Sequence, residues 1–421
     1  MKPSPNTPWL RDPKKLVFLS FFVLVHIFML RNIYLLSRDM LTGDLSAAQT
    51  IPLPRYPFER IPDTPAARQY QAQGRLAVDF AQIYFPAQQM ASLGQNYQTG
   101  VLDPLNRPSR YPPLLHFLCA LTLCKMDYGP ASLLHMALQA LLFYLVFLFS
   151  FKALKIESYL LPALLLLDAC LFLTPVGLSW LERGQFSLYV GAAYLLLLLG
   201  FLKKKPLLVL LAALFAFIKW TSFPTLAVFF PVYLLSSENS AEAKRALLLA
   251  AGFGLLLLGL TFSLPGPSLD FLRGLYQQER FSAPGGISLA KLLPLELVKF
   301  LPLPLVLLGW LHLRRFQNRF ESLVPFLAGA ALLMLTYPTL AYEYNLPSML
   351  GFIPLFIYWI SLPGTPLRLP LRHFLAGVFF AFVFLASFTR LATPTPLILG
   401  AYLLVSALLL LLPLFWHRAS A

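Results

Sequence analysis

The sequence predicts an all-α polytopic membrane protein. Hydrophobic residues make up 58% of the 421 positions and charged residues only 12%, whereas about a quarter of the positions in a soluble domain are charged. Apolar runs of roughly 18 to 23 residues recur along the chain, and each is long enough to cross a hydrocarbon core about 30 Å thick. Most connections between these runs are too short to fold alone, so we expect one membrane domain over residues 1–421.

About twelve membrane spans are predicted, with both chain termini in the cytoplasm. The first run is longer than a signal-peptide core and lacks a small-residue cleavage site, so we expect it to remain as an anchor. Segment Tyr111–Cys124 is too short for an upright span and is interpreted as half-inserted, and Pro224 favours a helix break nearby. The predicted spans are Leu16–Leu36, Pro130–Phe151, Ser158–Pro175, Phe186–Leu202, Pro206–Ile218, Ser222–Leu235, Leu247–Leu264, Leu292–His312, Ser322–Tyr337, Leu346–Leu362, Phe374–Thr389 and Leu397–Trp416.

The net charge of +15 indicates topology rather than nucleic-acid binding. Basic residues such as Lys203, Lys204 and Lys205 cluster at the ends of apolar runs, as the positive-inside rule expects of cytoplasmic segments. No basic surface interleaved with aromatic residues remains for a nucleic acid. The three cysteines show neither an even framework nor a metal-ligand spacing. Because DxD, P-loop, HExxH and GxSxG motifs are missing from the sequence, we expect no metal or cofactor.

Two long polar segments, residues 37–110 and 265–291, are interpreted as extracytoplasmic loops. The first contains Asp79 among Val78, Phe80, Ile83, Tyr84 and Phe85, a spacing typical of an interfacial amphipathic helix. Asp79 is then either a solvated charge on the polar side of that helix or a general base at the water–lipid boundary.

Three basic positions are candidates for binding an anion. Arg110 precedes the rigid Tyr111-Pro112-Pro113 turn, where it can fork onto phosphate oxygens or simply anchor the interface. Arg183 is followed by Gly184 and Gln185 at the predicted outer start of a span, where unpaired N–H groups favour an anion; an ordinary helix boundary is the alternative. Lys219 either faces a cavity or snorkels from a helix break.

Several other polar residues have two interpretations. Glu343 and Tyr344 belong to a turn rich in phenols, which is either an acceptor site or an aromatic belt. Asp168, within a span, is expected to pair with a neighbouring helix or to stay protonated. His26 and His135 are interpreted as packing or inter-helix hydrogen-bonding residues.

An ordered set of residues resembles glycosyltransferase family 87, whose members are polyprenyl-phosphate-dependent transferases of the glycosyltransferase-C superfamily. The match extends to about Ser288. It departs from the family at Phe186-Ser187, where an Asn is commoner, and at Tyr342-Glu343-Tyr344-Asn345, where many members have Trp or His. The set comprises Asp79-Phe80, Tyr84, Gly94, Tyr97, Tyr111-Pro112-Pro113-Leu114, Gly184-Gln185, Ile218-Lys219 and Pro224.

The resemblance implies a glycosyltransferase-C-like bundle of about twelve transmembrane helices, with short amphipathic helices in the first extracytoplasmic loop. It also implies transfer of a hexose, often mannose, from a polyprenyl-phosphate donor to an extracytoplasmic acceptor, with inversion and without a metal. The family's catalytic acid maps onto Asp79. Tyr111, Gln185 and Lys219 are implicated in the donor cavity.

We therefore expect Asp79 to be the base, with a cationic pocket for the departing phosphate. The expected partners are the donor lipid, membrane lipids and a glycolipid, glycan or protein acceptor, in a bacterial inner membrane. A transporter or lipid flippase, or a non-catalytic assembly partner with the same fold, is the alternative. The candidate donor-binding residues are Arg110, Tyr111, Arg183, Gln185 and Lys219, and the candidate acceptor or cavity residues are Tyr84, Glu343 and Tyr344.

Overall fold

The computed structural model describes residues 13–42, 77–93, 109, 111–236, 240–263, 268–269, 271–276, 285–317, 319–338, 340–341, 343–363, 367–384 and 395–415. Most of these residues are helical, which confirms the predicted all-α class. The first α-helices are α1 (Pro13–Thr42), α2 (Ala81–Leu93), α3 (Pro113–Leu121), α4 (Tyr128–Leu154), α5 (Leu160–Leu173), α6 (Pro175–Arg183), α7 (Ser187–Leu202) and α8 (Pro206–Ile218). They are followed by α9 (Phe223–Leu234), α10 (Ser240–Phe262), α11 (Leu295–Lys299), α12 (Pro302–Arg315), α13 (Val324–Leu335), α14 (Ile353–Ser361), α15 (Leu369–Phe384) and α16 (Thr395–Phe415).

Four of the described helices are long and apolar enough to cross a membrane: α1, α4, α10 and α16. Two bent pairs raise this number to six if each is one span. The first joins Glu157–Leu173 to α6 with a bend of 66°, and the second joins α8 to Trp220–Leu234 with a bend of 119°. Large apolar side chains such as Val17 and Leu30 are exposed on α1, as expected for an integral membrane protein. The twelve spans and the glycosyltransferase-C-like bundle stay predictions.

Several predicted spans agree with helices to within a few residues, and α8 has the predicted bounds. Two others are divided. The predicted span Leu292–His312 forms α11 and α12, and the span Leu346–Leu362 forms a 3₁₀ segment, Glu343–Phe352, followed by α14. The only α-helix in Tyr111–Cys124 is the nine-residue α3, and the helix breaks at Thr122. A disulfide joins Cys119 to Cys124 across this break, a pairing that the sequence did not predict.

Helix α7 lies at the centre of the described structure. It is apolar all round, and nearly every residue in it is buried, because it packs against α4, α8 and the 3₁₀ segment Glu343–Phe352. The contact with the 3₁₀ segment is close: a Cβ on Gly351 would lie 2.4 Å from the Gly191 carbonyl oxygen. Only glycine permits this approach, which brings Tyr344 and Asn345 close to the beginning of α7.

A short parallel pairing connects two segments of the C-terminal half. Gly285 pairs with Leu340 and Gly286 with Ala341. Beyond the pairing, the Ile287 N–H donates to the Ala341 carbonyl at 2.6 Å. The end of the second predicted loop is thereby fixed beside the chain that leads into the 3₁₀ segment.

A polar cluster around the buried Asp168 joins α1, α4 and α5. Nε2 of His26 lies 3.3 Å from Oδ2 of Asp168, and the Tyr144 hydroxyl donates to Oδ1 of the same carboxylate. On the next turns of α1, the Asn32 amide donates to the Phe172 carbonyl at 2.9 Å. This confirms the expectation that Asp168 pairs with a neighbouring helix, since polar contacts of this kind hold helices together in apolar surroundings.

Candidate functional site

Asp79 lies in a turn, residues 77–80, that docks on the end of α6. The Ala77 N–H donates to the Glu182 carbonyl at 2.7 Å, and the Asp79 N–H donates to the Arg183 carbonyl at 2.9 Å. The Asp79 residue is only 4% exposed. The interpretation of Asp79 as a solvated charge is therefore wrong, and the predicted amphipathic helix begins only after it, at Ala81.

Gly184 permits this docking. It ends α6 with a left-handed φ of 62°, which glycine adopts readily. A Cβ at this position would lie 2.8 Å from the Ala77 Cβ and 2.9 Å from its Cα. Ala77 is itself fixed with a φ of 59°, and its carbonyl accepts the Tyr128 hydroxyl at 2.7 Å.

Arg183 is the last residue of α6, and Gly184 and Gln185 lead from it into α7, so the segment precedes the predicted span Phe186–Leu202 as expected. The sequence Thr174-Pro175 begins a separate helix, because Pro175 is tolerated in the first turn and the Thr174 hydroxyl caps the Gly177 N–H at 3.0 Å. The separate helix α6 is an addition to the predicted pattern, and the anion expected at the N-terminus of α7 stays a prediction. Arg183 and Gln185 contribute to the site through their side chains, which both contact Asp79.

Five polar side chains form one continuous series of hydrogen bonds. Nε of Arg183 donates to Oδ2 of Asp79 at 3.1 Å, and the Gln185 amide nitrogen donates to the same oxygen. The Lys219 ammonium donates to the side-chain Oε1 of Gln185, and to Oδ1 of Asn345 at 2.6 Å. Asp79, Arg183, Gln185 and Lys219 are all buried. A buried charge is costly unless it is paired or hydrogen-bonded. These hydrogen bonds therefore compensate for the burial of the three charged side chains.

Lys219 lies at the 119° break between α8 and α9, in an extended conformation. The alternative in which it snorkels to an interface is wrong, because the residue is 8% exposed. In the described part of the chain its hydrogen-bond acceptors are amide oxygens, and no carboxylate lies within 4.0 Å of its Nζ. Its ammonium group is thus positioned by neutral groups, which leaves its charge available to an anion.

Asp79, Gln185, Lys219 and Asn345 line a cavity of about 320 Å³. Arg183 lies behind Asp79, with its guanidinium carbon 4.4 Å from the centre of the Tyr344 ring, a cation–π distance. Of the predicted site residues, the structure brings Asp79, Tyr111, Gln185, Lys219 and Tyr344 to the cavity wall. Others on that wall are Gln82, Trp220, Pro224, Tyr337 and Asn345.

Four predicted site residues are not among those on the wall, and one of them is Arg183, which contacts Asp79 and Tyr344 as described above. Arg110 and the side chain of Glu343 lie outside the described residues. Tyr84 packs instead against Tyr128, and its hydroxyl donates to the Met126 carbonyl at 2.8 Å. Burial raises the pKa of the Tyr84 phenol. The structure therefore gives Tyr84 a packing position near α4 and does not place it at the cavity.

Tyr111 reaches the cavity from the chain just before α3. Its ring contacts Phe186, with 4.7 Å between the ring centres, and its N–H donates to the Ser109 hydroxyl at 3.3 Å. The same hydroxyl lies 2.7 Å from Nε2 of His116. Burial lowers the pKa of His116 to about 3, so this imidazole is neutral near pH 7 and has a structural role beside the site.

Sequence reasoning missed Gln139, which holds the Gln185 segment from α4. Its amide nitrogen donates to the Gln185 carbonyl at 2.6 Å, and its oxygen accepts the Leu188 N–H at 2.9 Å. His135, one turn earlier, stacks on Phe80 with 4.8 Å between the ring centres, in keeping with its predicted packing role. The available signal was an i, i+4 pair of polar residues in an apolar helix.

No protein-family model, curated protein or solved structure matches this chain. The resemblance to glycosyltransferase family 87 stays a prediction from the ordered residues quoted above.

Proposed function

We propose that the protein is a membrane glycosyltransferase that moves a hexose from a polyprenyl-phosphate donor to a hydroxyl of an extracytoplasmic acceptor. The observation that carries the proposal is that a buried carboxylate, Asp79, and a buried ammonium group, Lys219, line the same cavity. One carboxamide, that of Gln185, connects them. The resemblance supplies the donor class, the inversion of configuration and the expectation that no metal takes part.

In the proposed reaction the Asp79 carboxylate accepts the proton of the acceptor hydroxyl. The acceptor oxygen attacks the anomeric carbon of the hexose, and the bond from that carbon to the phosphate oxygen breaks. The phosphate leaves with the electron pair, and the Lys219 ammonium group stabilises the negative charge that develops on it. A positioned base and a preorganised cation of this kind each stabilise the transition state more than the ground state.

Inversion requires that the attacking hydroxyl and the departing phosphate lie on opposite faces of the sugar ring. Asp79 comes from the turn before α2, and Lys219 comes from the break between α8 and α9. Both groups line the cavity, so the proposed reaction requires the sugar ring to lie in it with the Asp79 carboxylate towards one face and the Lys219 ammonium group towards the other. Arg183 orients the Asp79 carboxylate through its 3.1 Å contact.

The disulfide supports the proposed extracytoplasmic location. Cys119–Cys124 lies next to α2, whose Gln88 side chain donates to the Cys124 carbonyl. Disulfides persist in oxidising compartments such as the bacterial periplasm and are rare in the cytosol. The bacterial inner membrane, the membrane-lipid environment and the glycolipid, glycan or protein acceptor are parts of the proposal.

The test is to incubate the purified protein with polyprenyl-phosphate hexoses and candidate acceptors, and to measure released polyprenyl phosphate. Asp79→Asn keeps the shape of the side chain but removes the proton acceptor, so we expect release to fall by roughly a hundredfold or more. Glu242→Gln, at an exposed acid on α10, is the matched control and is expected to have wild-type activity. Full activity of Asp79→Asn, or no release from any hexose donor, would refute the proposal.

A carrier for the same lipid is a second candidate, and the two bent helix pairs favour it. Broken helices whose ends surround a charged site are typical of transporters, and the 119° break places Lys219 at the cavity. In proteoliposomes a carrier would move a labelled polyprenyl-phosphate hexose between leaflets without releasing polyprenyl phosphate. A transferase would release it.

A further inference from the structure

A groove lies between α9 and α12, apart from the cavity at Asp79. Its volume is about 690 Å³. Hydrophobic residues and prolines form its described walls, at the spacing of residues that share one face of a helix. They include Ala227, Pro231 and Leu235 on α9 and Leu303, Leu307 and Trp310 on α12. Leu303 is 66% exposed and Leu307 is 58% exposed, so the groove is open at the protein surface.

The two helices are in contact beside the groove and run in the same direction. A Cβ on Gly309 would lie 2.5 Å from Cγ2 of Val232, so the helices approach closely at this point. The ring centre of Tyr233, near the end of α9, is 5.3 Å from that of Phe320, which follows α12. Because α9 begins at the break that carries Lys219, the ends of both helices lie on the side away from that residue.

The length of the groove matches one leaflet of a bilayer. From Pro302 to Trp310, α12 rises about 12 Å at 1.5 Å per residue. One leaflet contributes about 15 Å to a hydrocarbon core about 30 Å thick. Trp is also common where the hydrocarbon meets the lipid head groups. An acyl chain that lies along the groove would therefore place the head group of its lipid just beyond Trp310.

Arg314 lies one turn beyond Trp310 on the same face of α12. Its guanidinium carbon is 5.2 Å from the centre of the Trp310 ring, a cation–π distance. Among the described residues Arg314 forms no ion pair. One helical turn rises about 5.4 Å, so the guanidinium lies where the phosphate of a lipid would be if its acyl chain filled the groove.

The charge around Arg314 is positive. The segment 314–321 contains Arg314, Arg315 and Arg319 and a single acid, Glu321. A guanidinium forks onto two phosphate oxygens, which a lysine ammonium does not reproduce. The excess of positive charge favours a lipid with a net negative head group over a zwitterionic one.

We propose that this groove binds an acyl chain of an anionic membrane phospholipid, with the lipid phosphate on the Arg314 guanidinium. The donor lipid of the proposed reaction is a different ligand, because its phosphate has to reach Lys219 at the opposite end of α9. The phospholipid contacts both helices, so it stabilises the packing of α9 against α12. The inference does not depend on the proposed function.

The test compares two phospholipids with identical acyl chains, phosphatidylglycerol and phosphatidylcholine. Their dissociation constants from the full-length protein in detergent are measured by native mass spectrometry. Arg314→Gln removes the charge beyond the groove, and Ala227→Phe puts an aromatic ring into it. The controls are Arg368→Gln, which removes another exposed charge, and Leu255→Phe at an exposed position of α10; neither residue is on the described groove wall.

We expect wild-type protein to bind phosphatidylglycerol at least fivefold more tightly than phosphatidylcholine. Arg314→Gln should reduce this ratio about fivefold, the effect of one arginine at an anionic membrane surface. Ala227→Phe should weaken the binding of both lipids at least threefold and leave the ratio unchanged, because it blocks the acyl chain and not the head group. Both replaced residues are exposed, so the Tm of the lipid-free variants should equal that of wild type; if Ala227→Phe does not fold, Arg314→Gln decides alone.

Equal affinities of wild-type protein for the two lipids would overturn the inference, as would an equal loss of the ratio in Arg368→Gln. Two further results would assign the groove to another occupant and so also contradict it. One is displacement of phosphatidylglycerol by equimolar polyprenyl phosphate, which would make the donor lipid the ligand. The other is a dimer that Ala227→Phe converts to a monomer, which would make a second copy of the chain the partner.

Discussion

Gly184→Ala offers a quantitative test of how the Asp79 turn is held. The added Cβ would lie 2.8 Å from the Ala77 Cβ and 2.9 Å from its Cα. Ala77 cannot move aside easily, because its N–H and its carbonyl each make a hydrogen bond of 2.7 Å, to Glu182 and Tyr128 respectively. The substitution therefore acts on the backbone that positions Asp79.

Two costs add in this variant. A residue with a Cβ in a left-handed conformation costs about 1–2 kcal/mol, and the φ of Gly184 is 62°. Forcing a methyl group into a packed contact costs about 1–3 kcal/mol more. The expected loss of stability is thus about 2–5 kcal/mol, which corresponds to a fall in Tm of about 2–6 °C for a chain of this length.

Activity should fall with stability, because the Asp79 N–H donates to the Arg183 carbonyl beside Gly184. A displacement approaching 1 Å costs about a hundredfold in rate, so at least a tenfold loss of donor turnover is expected. The control is Gly254→Ala in α10, where a Cβ would meet nothing within 4 Å and alanine favours the helix. Wild-type Tm and activity in Gly184→Ala would refute this account of the site.

Three further predictions concern single groups. Lys219→Met should lower kcat/KM for the donor about 10- to 100-fold, since charged hydrogen bonds contribute about 1.5–3 kcal/mol; Lys299→Met, at an exposed lysine, is the control, and an unchanged kcat/KM would contradict the role of Lys219. Denatured, unreduced protein should label at one thiol, Cys170, because Cys119–Cys124 is bonded; labelling at three thiols would disprove the pairing. Because burial lowers the pKa of His116 from its ordinary 6.5 to about 3, the folded protein disfavours its protonation, so acidification from pH 7 to 5 should lower the Tm and His116→Gln should reduce that slope; an unchanged slope would disprove the burial effect.

Much of the helical framework could be predicted, because apolar length and proline position determine it locally. Helix α8 begins at Pro206 and ends at Ile218 as expected, and the break near Pro224 was indicated by the proline itself. The separate helix α6 was missed, because Thr174-Pro175 reads as the end of a span unless the Thr174 cap is recognised. The Cys119–Cys124 pairing was missed because spacing alone does not show that the chain turns back at Thr122.

The candidate site was predictable where a charge stood out against apolar neighbours. Asp79 and Lys219 have this property, whereas Arg183 was indicated by the polar run Glu182-Arg183-Gly184-Gln185. The structure brings the three together through contacts between segments that are distant in sequence. Gln139 and Gln82 gave no comparable signal, because an uncharged amide in a helix is as often a surface residue as a buried one. Their importance depends on which other backbone and side-chain groups surround them, which only tertiary packing determines.

The most direct test of the central claim is an experimental structure of the protein with polyprenyl phosphate bound. We expect the phosphate in the cavity, with an oxygen roughly 3 Å from Nζ of Lys219 and the Asp79 carboxylate across the space that the hexose would occupy. Density for the phosphate on another face of the protein, with Lys219 still bound only to Gln185 and Asn345, would contradict the account.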